Sequence, residues 1–294
     1  MSTLQKKIDF AVILSVKNAN PNGDPLNGNR PRTDYSNFGE ITDVSIKRKI
    51  RDRLLERWIS EGKKDDGNMI FVQSDDRKVD DAKNLRVRAE AALGSKLGSN
   101  ETVTLASKKW FDVRAFGQLF ALKSNKKAGK KKEDGSDDEG DTGVSIGIRG
   151  PVTVQSAFSV EPIEISSNQI TKSTSNEGDG INRQSDQMGM KHRVDKGVYV
   201  FYGSMNPQLA ERTGFSDTDA EAIKQVFHKL FENDESSARP AGSMEVLKVI
   251  WWKHNCKSGQ YSSAKVHRTL SVQPEGSYQL ANLDGLVPEE IDGF

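Results

Sequence analysis

Four histidines, one cysteine and a dense set of asparagine, lysine and arginine side chains are the groups in this 294-residue chain that could do chemistry. His192, His228, His254 and His267 follow no metal-ligand spacing, and Cys256 has no second thiol for a zinc site or an intrachain disulfide. The chain carries no H-E-x-x-H, no G-x-x-x-x-G-K-S/T, no G-x-S-x-G, and no G-x-G-x-x-G between strand and helix. No catalytic residue, metal or cofactor is therefore assigned. What remains is a high density of hydrogen-bond donors: Asn18, Asn20 and Asn22, Arg30 and Arg32, Lys47 and Arg51, Arg149, and the run Lys191, His192, Arg193. Such groups bind phosphate oxygens and base edges. An asparagine-rich loop is more often just a turn, so the case rests on several of them meeting in one groove.

The elements that must position these donors are legible from hydrophobic patterning. Residues 8 to 17, IDFAVILSVK, are a nearly unbroken β-branched and aliphatic run that predicts a central strand buried on both faces. Residues 18 to 32 follow, with five Asn, two Gly and three Pro, and predict a long ordered loop. A helix is predicted over 43 to 60, capped by Thr42 or Asp43, with Ile46, Ile50, Leu54 and Trp58 repeating every fourth residue and Gly62 closing it. At about 100° per residue, Lys47 and Arg51 fall inside the apolar stripe of that helix. Buried cations in the first half of a helix are costly unless an anion meets them, the alternative being that both snorkel to water.

Further along, 68 to 73 reads as a short strand and 78 to 93 as a helix, followed by W-F-D-V-R-A-F-G at 110 to 117. Six lysines between 123 and 132 are then followed by six acids between 133 and 142, which reads as a mobile, self-neutralising loop, with a basic arm touching DNA as the sharper reading. Val152, Val154, Ser156, Phe158 and Val160 alternate as in a half-buried strand. Residues 166 to 189 are dominated by polar residues and read as a protruding hairpin; strands are predicted from 191 and over MEVLKVIWWKH, with an amphipathic helix over 217 to 232. Strand, loop, helix, insertion, strand, strand, helix, strand is the order of an α+β, ferredoxin-like or RNA-recognition-motif core. The length suits one elaborated domain over 1–294.

Composition narrows the setting. Forty-three basic residues against forty-two acidic ones leave bulk charge without an argument for a polyanionic partner, so any such surface must come from local clustering. The single cysteine suits a reducing cytoplasm, and no apolar stretch approaches the ~18 residues of a membrane span.

Four blocks, N18-A-N20-P-N22-G-D24-P25, FDVRAFG at 111 to 117, GIRGPVTVQSAFSVEPI at 147 to 163 and KHRVDKGVYVFYG at 191 to 203, together resemble one family. It is the backbone subunit of the type I CRISPR effector complex Cascade, of the RAMP-like CRISPR-associated proteins, and the subtype looks like I-C. The blocks stand in the family's order across residues 8 to 205; the charge tract at 123 to 142 matches no family motif.

The resemblance implies a hand-shaped antiviral-defence protein with an RNA-recognition-motif palm, fingers or web inserted over 62–142 and a thumb hairpin over 161–190. In that family many copies stack head to tail on the guide crRNA. Each thumb flips out a nucleotide, and the segments between pair with target DNA, so protein reads shape while base pairing reads sequence. Partners so implied are crRNA, target DNA through the guide, further copies of the chain, and the 5′-handle-binding, large and small subunits. Carried over residue by residue, the RNA-facing positions are Asn18, Asn20, Asn22, Arg30, Arg32, Lys47, Arg48, Arg51, Arg149, Gln155, Ser156, Lys172, Arg183, Lys191 and His192. The family is non-enzymatic; the alternative is an RNA-guided endoribonuclease of the type III kind, for which Asp24 would be the loop aspartate. A generic RNA-binding factor acting alone is a third reading.

Overall fold

The computed structural model describes residues 2–122, 144–171 and 188–294. The chain enters on β1 (Ile8–Ala19), turns through the two-residue strands β2 (Gly23–Asp24) and β3 (Arg30–Pro31), and passes β4 (Phe38–Ile41) into helix α1 (Asp43–Ser60). Three short helices follow, α2 (Leu85–Leu93), α3 (Thr102–Lys109) and α4 (Phe111–Phe116), then the hairpin of β5 (Gly117–Leu122) and β6 (Val144–Arg149). Strands β7 (Val152–Val154), β8 (Ala157–Pro162), β9 (Ile165–Thr171) and β10 (Met188–Met205) lead to α5 (Pro207–Thr213) and α6 (Asp217–Phe227). The chain ends through β11 (Met244–Lys253), α7 (Ser263–His267), β12 (Leu270–Val272), β13 (Tyr278–Leu280) and β14 (Glu289–Asp292).

One mixed α+β architecture results. The main sheet runs β14-β11-β1-β10-β8-β4, with β7 and β9 also paired along β10. β1 sits between β10 and β11 and is antiparallel to both, which leaves it no free edge. Phe10, Val12, Leu14 and Val16 point to the larger core, where Ile46, Ile50 and Leu54 of α1 and Ile223, Val226 and Phe227 of α6 cover the sheet. Ala11 and Ile13 point to a second core closed by Val266, Leu270, Leu283 and Leu286 from the C-terminal segment. The face of the sheet away from the helices is therefore covered by the chain itself.

Helix α1 spans the predicted residues because Thr42 caps it, its hydroxyl accepting from Ser45 N at 3.3 Å. Its apolar stripe is the predicted one, yet the charges it buries most deeply are Lys49, Asp52 and Arg53. Carboxylates meet these cations: Lys49 pairs with Asp234, and Arg53 with Glu56 at 2.8 Å.

Elsewhere the structure departs from the patterning. Residues 68 to 73 form no strand beyond a single bridge between Met69 and Trp110, because Ile70 and Phe71 are buried by side-chain packing. Helix α2 starts only at Leu85, where Asn84 accepts from Val87 N at 2.9 Å; upstream, Asp80 turns the chain by accepting from Ala82 N and Arg88. Helix α6 stops at Phe227 and turns carry the chain on to Asp234. The alternation from Val152 breaks between β7 and β8, so Ala157 and Ser159 are buried and Phe158 is exposed. A break in the ladder reverses the faces of every residue beyond it. The charge tract predicted at 123–142 lies outside the described residues, as does most of the tip of the 161–190 hairpin. Among the described residues no helix is long and apolar enough to cross a membrane.

Candidate nucleic-acid interface

The loop after β1 is a stiff, internally bonded hairpin. Asn18 takes φ +54°, a left-handed geometry that asparagine tolerates, and Ala19 then faces the larger core. Asn20 is buried, its amide donating to Asn29 O at 2.7 Å and its backbone N–H to Ala238 O at 2.8 Å. Asn22 Oδ1 accepts from Thr42 N and Thr42 Oγ1, both at 2.9 Å, and so ties the loop to the start of α1. Asp24 Oδ1 accepts from Leu26 N at 3.2 Å and lies 3.3 Å from Arg32 Nη2. Gly28 and Asn29 are both left-handed (φ +57° and +60°), which reverses the chain onto β3. Asn20 Nδ2, Asn22 Oδ1 and the Asp24 carboxylate thus shape the loop.

That shape delivers Arg30 to the hairpin of β9 and β10. Arg30 Nη1 donates to Ser167 Oγ at 3.2 Å, and the same hydroxyl lies 2.8 Å from His192 Nδ1. Ser167 and His192 are directly opposed in the β9–β10 ladder, with Asn168 and Lys191 the next pair outward and Ser166 and Arg193 the next pair inward. Side chains alternate along a strand, so His192 lies on the face of Val194, and Lys191 and Arg193 lie on the other. Loop and hairpin, far apart in sequence, thus bring a guanidinium and an imidazole onto one hydroxyl, with the exposed Lys191 next along the strand on its opposite face.

The other predicted positions fall elsewhere. Lys47 pairs with Asp43 at 3.0 Å along its own helix. Arg48 donates to Ser74 Oγ at 2.8 Å and lies near Asp52 and Asp76. Arg51 donates Nε to Asp112 Oδ2 at 3.0 Å and lies 5.1 Å from the centre of the Phe116 ring; Asp112 also accepts from Phe71 N and Val72 N. Arg149 is exposed at the end of β6, Gln155 is exposed with its N–H on Tyr202 O, and Ser156 is half-buried. Lys172 and Arg183 lie outside the described residues. Ser167 escaped the sequence reading because nothing distinguishes it within a polar tract; only the strand register singles it out.

A second polar cluster sits under the covered face. Asp9 of β1 is fully buried; it lies 3.0 Å from Lys7 Nζ and 2.8 Å from His254 Nε2. Gln260 N donates to His254 Nδ1 at 2.9 Å, so Nε2 carries the proton and donates to Asp9. Burial alone would raise the Asp9 carboxyl, but hydrogen bonds from His254, Ser263 and Lys7 outweigh it and hold the group below 3.8. Burial lowers His267, whose ring lies 3.7 Å from Asp9. This cluster clasps the C-terminal segment to β1. Among the described residues no group of three or more His, Cys, Asp or Glu is placed to hold a metal ion.

The model of the family of CRISPR-associated protein Cas7 matches residues 6–285. The chain belongs to that family. A curated Cas7 relative from Haloferax volcanii is 25% identical over 303 residues, covering 98% of this chain and 81% of the relative. Among solved structures, a chain of a "CRISPR RNA-guided surveillance complex, pre-nicking" aligns with TM-score 0.46 and 14% identity over 84% of this chain and 78% of its own. A chain of a "CRISPR RNA-guided surveillance complex" aligns with TM-score 0.43 and 18% identity over 95% of this chain and 77% of its own. The matched Cas7 span runs from just before β1 to the segment that covers the sheet, and so includes both the loop after β1 and the β9–β10 hairpin.

Proposed function

We propose that this Cas7-family chain is the backbone subunit of a type I CRISPR surveillance complex, a protein that oligomerises along a guide crRNA, holds it without regard to sequence and presents it to target DNA. The observation that carries this reading is the meeting of Arg30, Ser167 and His192 across the loop after β1 and the β9–β10 hairpin. Single-strand binding without sequence preference needs donors that track a backbone, and this edge of the sheet supplies them.

The strand order β11-β1-β10-β8, with α1 and α6 on one face, supports the reading as a ferredoxin-like, RNA-recognition-motif palm. Such palms commonly stack bases on the open sheet face. Here the C-terminal segment covers that face, which favours the loop and hairpin edge as the RNA track. On this reading residues 62–142 are the fingers or web, 161–190 the thumb, and the partners are crRNA, target DNA, further copies of the chain and the other Cascade subunits; the four sequence blocks favour subtype I-C. In the alternative type III ribonuclease, Asp24 would act on RNA, but its carboxylate already caps a turn and faces Arg32.

The test is filter binding of single-stranded RNAs of unrelated sequence over a salt series, for wild type, Arg30→Ala and His192→Ala. Each lost phosphate contact lowers the slope of log K against log salt by about 0.7, equally for every sequence. Wild type that ignores RNA at low salt, or regular cleavage of complementary RNA in Mg²⁺ that vanishes in Asp24→Ala, defeats the proposal.

A further inference from the structure

The connection from β3 to β4 carries a feature that neither the donor cluster nor the core explains. Tyr35 is fully exposed, its ring without packing partners, on a turn that is otherwise tightly bonded. Asp34 Oδ1 accepts from Ser36 N at 2.8 Å and from Phe38 N at 2.9 Å, Asp34 N donates to Phe38 O at 2.9 Å, and Asn37 takes φ +65°. The turn is anchored at both ends: Thr33 bridges Gly39, and Ile163 at the root of β9 donates its N–H to Asn37 O at 2.9 Å. An exposed aromatic on a floppy loop is ordinary, whereas this backbone is fixed and holds the ring out into solvent. It stands three residues after Arg32, in a turn bonded to the root of the same hairpin that bears Ser167 and His192.

We propose that Tyr35 is a nucleobase-stacking platform: a base of the bound single strand lies on its ring while the neighbouring phosphates meet Arg30 and the β9–β10 hairpin. This rests on the polynucleotide reading given above and deepens it. Tyrosine suits the task because a π-face accepts any base, which keeps binding indifferent to sequence, and because its two torsions leave little to order on binding.

The experiment uses the full chain and a mixed-sequence RNA just long enough for one copy, with 2-aminopurine placed singly at each position in turn. Wild type and Tyr35→Phe quench the fluorophore at one position, while Tyr35→Ala loses that quenching and binds about tenfold more weakly, the scale of one stacked base. Its salt slope stays that of wild type, since no phosphate contact is removed, in contrast to Arg30→Ala. Because Tyr35 packs against nothing, Tyr35→Ala should melt with wild type, and a melting curve confirms this. Wild-type affinity and quenching in Tyr35→Ala overturn the proposal while leaving RNA binding intact. So does unchanged affinity for the short RNA with fewer copies loaded on a long one, which would assign the ring to contacts between copies. Wild type that binds no RNA defeats the parent reading instead.

Discussion

Replacing Arg51 with alanine separates a cation that holds the fold from one that grips RNA. Its guanidinium is only 14% exposed and meets Asp112, whose carboxylate is 1% exposed. A hydrogen bond to a charged group contributes about 1.5–3 kcal/mol, and a ring under the guanidinium adds roughly 0.5–1 kcal/mol. Asp112 keeps its two backbone donors, Phe71 N and Val72 N, so the loss stays below the full cost of orphaning a buried charge. The expected loss is about 2–4 kcal/mol. At roughly 2–4 °C per kcal/mol for a chain of a few hundred residues, the melting temperature falls by about 5–15 °C. Asp112→Ala costs more, since it orphans those two N–H groups as well, and the double variant recovers part of the sum because each change removes the same bond. Thermal melts followed by circular dichroism measure this, and the salt slope of RNA binding is measured alongside. An Arg51→Ala protein that melts with wild type while its salt slope drops by about 0.7 refutes the structural assignment.

Asn22→Ala removes the acceptor shared by Thr42 N and Oγ1 and should cost about 1–2 kcal/mol, whereas Asn22→Asp keeps the acceptor and should melt close to wild type; equal melting of the two variants would count against the loop-to-helix tie. Asp9 is held below 3.8, so its carboxylate contributes stability that is complete above that pH and is lost as pH falls through its lower folded value. In acid titrations of stability, Asp9→Asn should therefore begin less stable at neutral pH and fall less steeply below pH ~4 than wild type. Gly203→Ala places a methyl 2.2 Å from the Phe10 ring and 2.3 Å from Thr153 O; urea unfolding should show a loss of about 1–3 kcal/mol, and a neutral result would mean that β1 and β7 can spread.

The elements with the strongest periodicity were legible in advance for simple reasons. β1 is apolar on both faces because helices cover one side and the C-terminal segment the other, and an unbroken β-branched run has few other fates. Helix α1 combined a cap with a four-residue repeat, two independent signals that agree. The 68–73 segment misled because burial and β-branching alone cannot distinguish a strand from a side-chain-packed loop. The phase break at Gln155 and Ser156 carries no sequence signal at all, since it arises from how β7 and β8 meet β10. For the site, the sequence identified loop and hairpin donors but not which of them are engaged internally. Asn20 and Asn22 look like ligands in a list of residues, and only the fold shows their amides bonded to Asn29 and Thr42.

The near-zero net charge hides how unevenly the cations are committed. Arg51, Lys49, Arg53 and Lys47 all face carboxylates, so drawing any of them toward a phosphate trades one charged partner for another and gains little. Arg30 differs, because among the described residues it meets a neutral hydroxyl at 3.2 Å. Releasing Ser167 forfeits about 0.5–1.5 kcal/mol, while a phosphate returns a charge-assisted bond about twice as strong as a neutral one. His192 shares that hydroxyl, so a polynucleotide that captures Arg30 also frees Ser167 to bond His192 alone. On the proposed function, this balance makes Arg30 easier for RNA to recruit than those four paired cations, in a chain that carries 43 bases against 42 acids. Removing its competition should then tighten binding: Ser167→Ala loses a hydroxyl that occupies both Arg30 and His192, and RNA affinity equal to or above wild type is the expected outcome in the same salt series. A severalfold loss would instead make the Ser167 hydroxyl a ligand in its own right and shift the track from the arginine to the hairpin.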